Sequence, residues 1–146
     1  MTGAAMSDLF ERVWMLKRTP LFADVDSEDL KSVAQELEEE SFVAGERLFE
    51  AGEPGDRAYF IARGRIGIAR RGDASPEEML SSIGVNECFG ELSLLDERPR
   101  EVAARVLEDA TLLSLDKQRF QSLVERHPPL VLGLLRSLGA RLRGIG

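Results

Sequence analysis

Between Glu39 and Asp116 glycines cut the chain into short runs of strand-forming residues, and this rhythm restricts the fold more than any other feature. The runs are Ser41–Val43, Arg47–Glu50, Ala58–Ala62, Ile66–Arg70, Met79–Ile83, Val102–Leu107 and Thr111–Leu115. The breaks carry Gly45, Gly52, Pro54-Gly55-Asp56, Gly64, Gly72-Asp73 and Gly84, residues suited to tight reversals or to positive φ. Short strands at near-regular spacing, with turn residues between them, predict a sandwich or barrel.

Helical periodicity brackets this run on both sides. Ser7 is placed to cap a helix through Lys17, and Thr19-Pro20 ends it, because the residue before a proline is pushed out of the helical region. Leu30, Val33, Ala34 and Leu37 form the stripe of a second, half-buried helix from Asp26 or Ser27 to about Glu36. Lys117–Arg126, and a leucine-rich segment after His127-Pro128-Pro129, predict two C-terminal helices. The expected architecture is mainly β with flanking helices: a β-roll of about eight strands, N-terminal helices before it and two helices after it.

Charge and composition limit what such a fold can do. The 146 residues carry a net charge of −7, which disfavours non-specific binding to nucleic acid. An anionic ligand must then be held by a local arrangement, because the overall field repels it. Cys88 is the single cysteine, so no internal disulfide forms, and with one histidine a zinc site of these residues is excluded. Cys88 reads as a small buried residue and His127 as a surface residue at a helix end. No apolar run approaches ~20 residues, so no membrane-spanning segment is expected. The N-terminus lacks the pattern of a secretory signal, and the expected location is cytoplasmic. No Ser/His/Asp or Cys/His set comes with a well-placed base, so catalytic residues, and enzymatic activity, are not expected.

The segment from Phe89 to Arg100 carries the chemistry. Gly90 precedes a short apolar stretch in which a one-turn helix leaves backbone N–H groups unpaired. Arg100 offers a planar fork of donors that suits a phosphate, and Glu91 a carboxylate that suits sugar hydroxyls.

Two segments resemble the cyclic-nucleotide-binding domain family, the regulatory module of bacterial catabolite activators, cAMP-dependent kinase regulatory subunits and nucleotide-gated channels. One runs from Gly45 through Ile66 and includes Tyr59-Phe60-Ile61; the other is Phe89-Gly90-Glu91-Leu92-Ser93 through Arg100, with its continuation Leu107–Leu113. The resemblance implies a jelly-roll-like β-roll (double-stranded β-helix), with residues 1–19 as an N-terminal tail and helix and residues 20–146 as the domain itself. It implies that Glu91 bonds the ribose 2′-hydroxyl and Arg100 the cyclic phosphate. Backbone N–H groups around Gly90, Leu92 and Ser93 complete the cradle, and Leu134, Leu135 or Leu138 of the last helix lies over the base. The ligand-binding set is thus Phe89, Gly90, Glu91, Leu92, Ser93, Arg100 and Glu101. No cofactor or metal is implied; the ligand is a cyclic nucleotide, cAMP in preference to cGMP.

One departure stands out. The family usually has a serine or threonine after the arginine, where this chain has Glu101. A carboxylate about 4 Å from a phosphate costs on the order of 4 kcal/mol at an effective dielectric near 20. The cost vanishes if Glu101 turns outward. Two functions therefore compete: a regulatory module whose C-terminal helices rearrange on binding, and a ligand-free domain of the same fold used as a structural or protein-interaction module. A DNA-binding regulator needs a helix-turn-helix that is not legible before Gly146, so nucleic acid is not an expected partner. A larger protein, or a homodimer through the C-terminal helix, is.

Overall fold

The computed structural model describes residues 8–70 and 81–145, which form two compact units. The first holds four helices: α1 (Leu9–Lys17) and α2 (Ser27–Glu36) before the strands, and α3 (Lys117–Arg126) and α4 (Pro128–Ile145) after them, with Lys117 itself counted in the second unit. Asp8 is the N-cap of α1 and its carboxylate accepts the Phe10 N–H at 2.8 Å. The expected cap, Ser7, lies outside the described residues. Arg12 of α1 donates to the carbonyls of Ala34 and Leu37, satisfying the open end of α2. Pro128 opens α4, where its missing N–H leaves no intrahelical bond unmade. Ser137 of α4 accepts the Asp24 N–H at 2.9 Å and donates to the Gly133 carbonyl. His127, expected at the surface at a helix end, lies between α3 and α4 with its side chain 36% exposed, and its Nε2 is 3.0 Å from the Asp29 carboxylate. Leu134 is buried, whereas Leu132, Leu135 and Leu142 are exposed.

The second unit, residues 38–117, is one antiparallel sheet. Its strands are β1 (Glu38–Phe42), β2 (Arg47–Phe49), β3 (Arg57–Arg70), β4 (Ser81–Ile83), β5 (Cys88–Phe89) and β6 (Val102–Asp116), with a 3₁₀ helix at Glu91–Leu94. The two long strands pair with each other from Arg57↔Asp116 to Arg70↔Val102. The outer edge of β6 takes β1 and β2, and the outer edge of β3 takes β5 and β4. This is the mainly β architecture with flanking helices that the glycine rhythm predicts.

The strand count is reached differently. Ala58–Ala62 and Ile66–Arg70, expected as two strands, are one, and so are Val102–Leu107 and Thr111–Leu115. Gly64, read as a turn, is a bend: its φ is +97°, and the register slips between Ile61 and Ile66 while pairing continues. Counted on either side of the bend, the long strands supply two segments each, which gives the roll its expected complement. β1 starts earlier than expected, at Glu38, because the Glu38–Glu40 run lies on an edge where charge is tolerated. β5 was not expected; Cys88, half-buried, lies in it beside Phe60. Met79 and Gly72-Asp73 fall outside the described residues.

Phe49, Tyr59, Ile61, Ile66, Phe89, Val106 and Leu112 form the core of the sheet. Phe49, Tyr59 and Phe89 group as an aromatic set, with Tyr59 and Phe89 stacked at 5.0 Å between centroids.

A Cβ added at Gly64 would stand 2.5 Å from the Asp109 carbonyl oxygen and 2.7 Å from the Ala110 Cα. Positive φ and backbone overlap add, so Gly64→Ala is expected to lower stability by about 2–4 kcal/mol. The same change at helical Gly139, where a Cβ meets nothing within 4 Å, is expected to raise it by up to about 1 kcal/mol. Urea midpoints of the two variants check the contrast.

Candidate functional site

The 3₁₀ helix starts from Gly90, whose φ of +75° lets the chain turn sharply out of β5. The first N–H groups of that helix, on Glu91 and Leu92, have no intrahelical acceptor, while the Ser93 N–H bonds the Gly90 carbonyl at 3.1 Å. The Ser93 hydroxyl, not its amide, therefore faces the arginine. Arg100 is fixed through its backbone, which donates to the Glu53 carbonyl at 2.7 Å and accepts the Gly52 N–H at 2.8 Å. A Pro54–Pro99 bridge adjoins these bonds. The side chain is aimed inward by this clamp.

Arg100 is only 7% exposed. Nη1 donates to the Ser93 hydroxyl at 3.1 Å and Nη2 to the Arg57 carbonyl at 3.0 Å. The guanidinium centre lies 4.1 Å from the centroid of the Phe49 ring, a cation–π contact. Nε is buried without a hydrogen-bond partner. Among the described residues Arg100 forms no ion pair, with Glu91 or any other carboxylate. Burial pushes its pKa down from the usual arginine value, with Arg57 adding to the effect and Tyr59, Asp56 and Glu53 opposing it. Its direct partners are thus neutral oxygens and a ring face. Carboxylates of Asp56 and Glu40, 3.3 and 3.6 Å away, engage Arg57 instead.

All seven residues singled out from the sequence, Phe89, Gly90, Glu91, Leu92, Ser93, Arg100 and Glu101, line one pocket of about 280 Å³. That is at the small end for a small-molecule site, so a compact ligand is indicated. Glycines make the close approaches: a Cβ at Gly90 would stand 2.5 Å from Arg100 Nη1, and one at Gly55 2.3 Å from the Ser93 Oγ. Glu91 is half-buried at the pocket wall. Glu101 turns outward: its side chain is 79% exposed and lies 3.9 Å from Arg98, at the rim.

Several participants were not found from the sequence. Phe49 and Ile68 line the pocket from β2 and β3. The Arg57 carbonyl is a backbone group, and no residue type announces it. Phe49 was within the Gly45–Ile66 segment, and its signal was the aromatic position after Arg47-Leu48. No group of His, Cys, Asp or Glu among the described residues is arranged to hold a metal ion, and no helix among them is long and apolar enough to cross a membrane.

Burial also raises the pKa of Tyr59 above its usual value of 10.0, against the opposing pull of Arg57. The unfolded chain then releases this proton at lower pH than the folded one, so stability present below pH 10 is lost as pH rises through the folded midpoint. Tyr59 is the only tyrosine, and an ultraviolet titration is expected to give a midpoint above 10 in the native protein that returns to about 10 in denaturant.

Comparison with known proteins gives consistent matches. A family profile described as "Cyclic nucleotide-binding domain" matches residues 39–127. The chain is 33% identical over 129 residues to the CRP-like cAMP-activated global transcriptional regulator of Mycobacterium tuberculosis, an alignment covering 88% of this chain and 58% of that protein. It is 31% identical over 128 residues to the cyclic AMP receptor protein of Thermus thermophilus, covering 88% and 59%. Among solved structures, the N-terminal domain of a transcriptional regulator from Streptomyces coelicolor A3(2) superposes with a TM-score of 0.79 at 34% identity, covering 90% of this chain and 94% of that one. The chain thus spans less than two thirds of the length of these two curated relatives.

Proposed function

The chain belongs to the cyclic nucleotide-binding domain family, and from that premise we propose that it is a regulatory module, not an enzyme, that takes a cyclic nucleotide into the pocket at Arg100. The observation that carries the reading is the buried Arg100 guanidinium without an anionic partner among the described residues. A cyclic phosphate supplies the missing charge. Arg100 pairs with its oxygens, and the N–H groups of Glu91 and Leu92 add to the cradle. Glu91 accepts a hydrogen bond from the ribose 2′-hydroxyl. The two curated relatives above carry cAMP in their names, which favours cAMP over cGMP.

Two charges that repel an anion are dealt with locally. The net charge of −7 is countered by Arg100 at contact range, where screening is weakest. Glu101 stands at the rim in solvent beside Arg98, so its repulsion is that of a screened surface charge. Binding draws the 3₁₀ helix and Arg100 together, and the C-terminal helices rearrange to the extent that the ligand prefers one arrangement. Leu135 is the exposed one of the three candidate lid residues. The exposed leucines of α4 also suit pairing with a second copy, and residues 20–146 act as the ligand-responsive domain of a cytoplasmic regulator.

Titration calorimetry with cAMP and cGMP tests the reading. Micromolar cAMP binding is expected, with Arg100→Lys weakening it about 10- to 100-fold, since a point charge replaces a two-pronged donor. Glu101→Ser is expected to alter affinity by less than about fivefold. Binding that appears only after Glu101→Ser would establish the ligand-free alternative, and no heat at millimolar nucleotide in either protein would exclude a cyclic nucleotide altogether.

A further inference from the structure

We infer that Lys117 is a positioning residue that ties the pocket at Arg100 to the start of the C-terminal helices, an inference that rests on the cyclic-nucleotide reading above. Lys117 is the first residue of α3 and follows β6 with no linker. Its ammonium donates to the Asp96 carbonyl and lies 3.0 Å from the Glu97 carboxylate. Its backbone N–H donates to the Asp56 carbonyl at 2.9 Å. Asp96 lines the pocket, and Asp56 precedes Arg57, whose carbonyl holds Arg100 Nη2. One residue therefore touches both sides of the clamp: the loop that follows the 3₁₀ helix, and the turn that leads into β3.

The relative strength of these contacts identifies the one that matters. The Lys117 side chain is 13% exposed, whereas that of Glu97 is 90% exposed. An ion pair with so exposed a partner contributes little, so the charge-assisted bond to the Asp96 backbone is the contact that ties Lys117 to the pocket loop. A bond from an ammonium on a flexible stem follows its acceptor only over a short range before it weakens. A ligand that draws the Glu91–Leu94 helix toward Arg100 moves the Asp96 loop that continues it, and the Lys117 side chain transfers that displacement to the first turn of α3. The ligand biases α3 by the difference between this contact in the two arrangements.

Hydrogen exchange across residues 118–145, with and without saturating cAMP, tests the role alongside calorimetry on the same samples. Lys117→Met keeps the length of the stem and removes the donors. It is expected to bind cAMP within about threefold of the unmodified chain while losing at least half of the ligand-induced change in exchange. Lys117→Arg, which retains donors and charge, is expected to keep the change, as a purely structural loss would not predict. Circular dichroism verifies folding, and if Lys117→Met unfolds, Lys117→Gln is judged by the same criterion. A full response in the variant, or cAMP binding by the unmodified chain with no response in these helices, overturns the inference and leaves the ligand reading intact. Absence of cyclic-nucleotide binding by the unmodified chain removes both.

Discussion

A guanidinium taken out of water with no ion pair among the described residues is the constraint around which the sheet unit is arranged. Removing an ion from water costs several kcal/mol even after relaxation, and Arg100 recovers part of it from two neutral oxygens and the face of Phe49. The recovery is incomplete, as the unpartnered Nε and the lowered pKa both indicate. Charge-assisted bonds to an anion are roughly twice as strong as those to neutral acceptors. A small anion entering this pocket is therefore favoured by a term already present in the fold, in a chain whose overall charge works against it.

The frame exists to bring four distant pieces of chain to this point. Phe49 comes from β2, the Arg57 carbonyl from the start of β3, Ser93 from the 3₁₀ helix and Arg100 from the approach to β6. Pairing of β3 with β6 runs from Arg57↔Asp116 to Arg70↔Val102, and this long ribbon fixes the register on which the shorter strands dock. Its bend at Gly64 depends on close backbone approach to Asp109 and Ala110. A fault there is far from Arg100 in sequence, yet it alters the platform that carries Phe49 and Phe89. Stability of the ribbon and geometry of the clamp are thus one problem.

How much of this was legible follows from which groups carry the information. The pocket wall from Phe89 to Glu101 was readable because it is contiguous: a glycine with positive φ, a short helix and an arginine are local features with residue signatures. The Arg57 carbonyl was not, since every residue has one and only the fold selects which faces the guanidinium. Gly64 was misread for a related reason. A glycine signals an unusual φ, but not whether the chain reverses or merely bends, and that depended on the partner strand. Glu101 illustrates the opposite case. Its letter suggested repulsion, but it stands at a bend just before β6 with its side chain 79% exposed, an orientation that no residue type announces.

The same physics bears on the choice between the proposed ligand site and the ligand-free alternative. A structural arginine held without a ligand is ordinarily stabilised by a carboxylate, and this chain carries 26 acidic residues. Glu91 lines the same pocket as Arg100, yet the two form no ion pair. Asp56 and Glu40 serve Arg57, and Glu101 stands with Arg98 in solvent. If the domain served only as a packing element, an internal Glu91–Arg100 pair, or an apolar side chain in place of Arg100, would remove the unpaired charge and be more stable. Glu91 held apart from Arg100 across a compact cavity leaves a donor set and an acceptor set that one molecule can satisfy together. The cyclic nucleotide proposed above carries an anion at one end and hydroxyls at the other, which suits this arrangement.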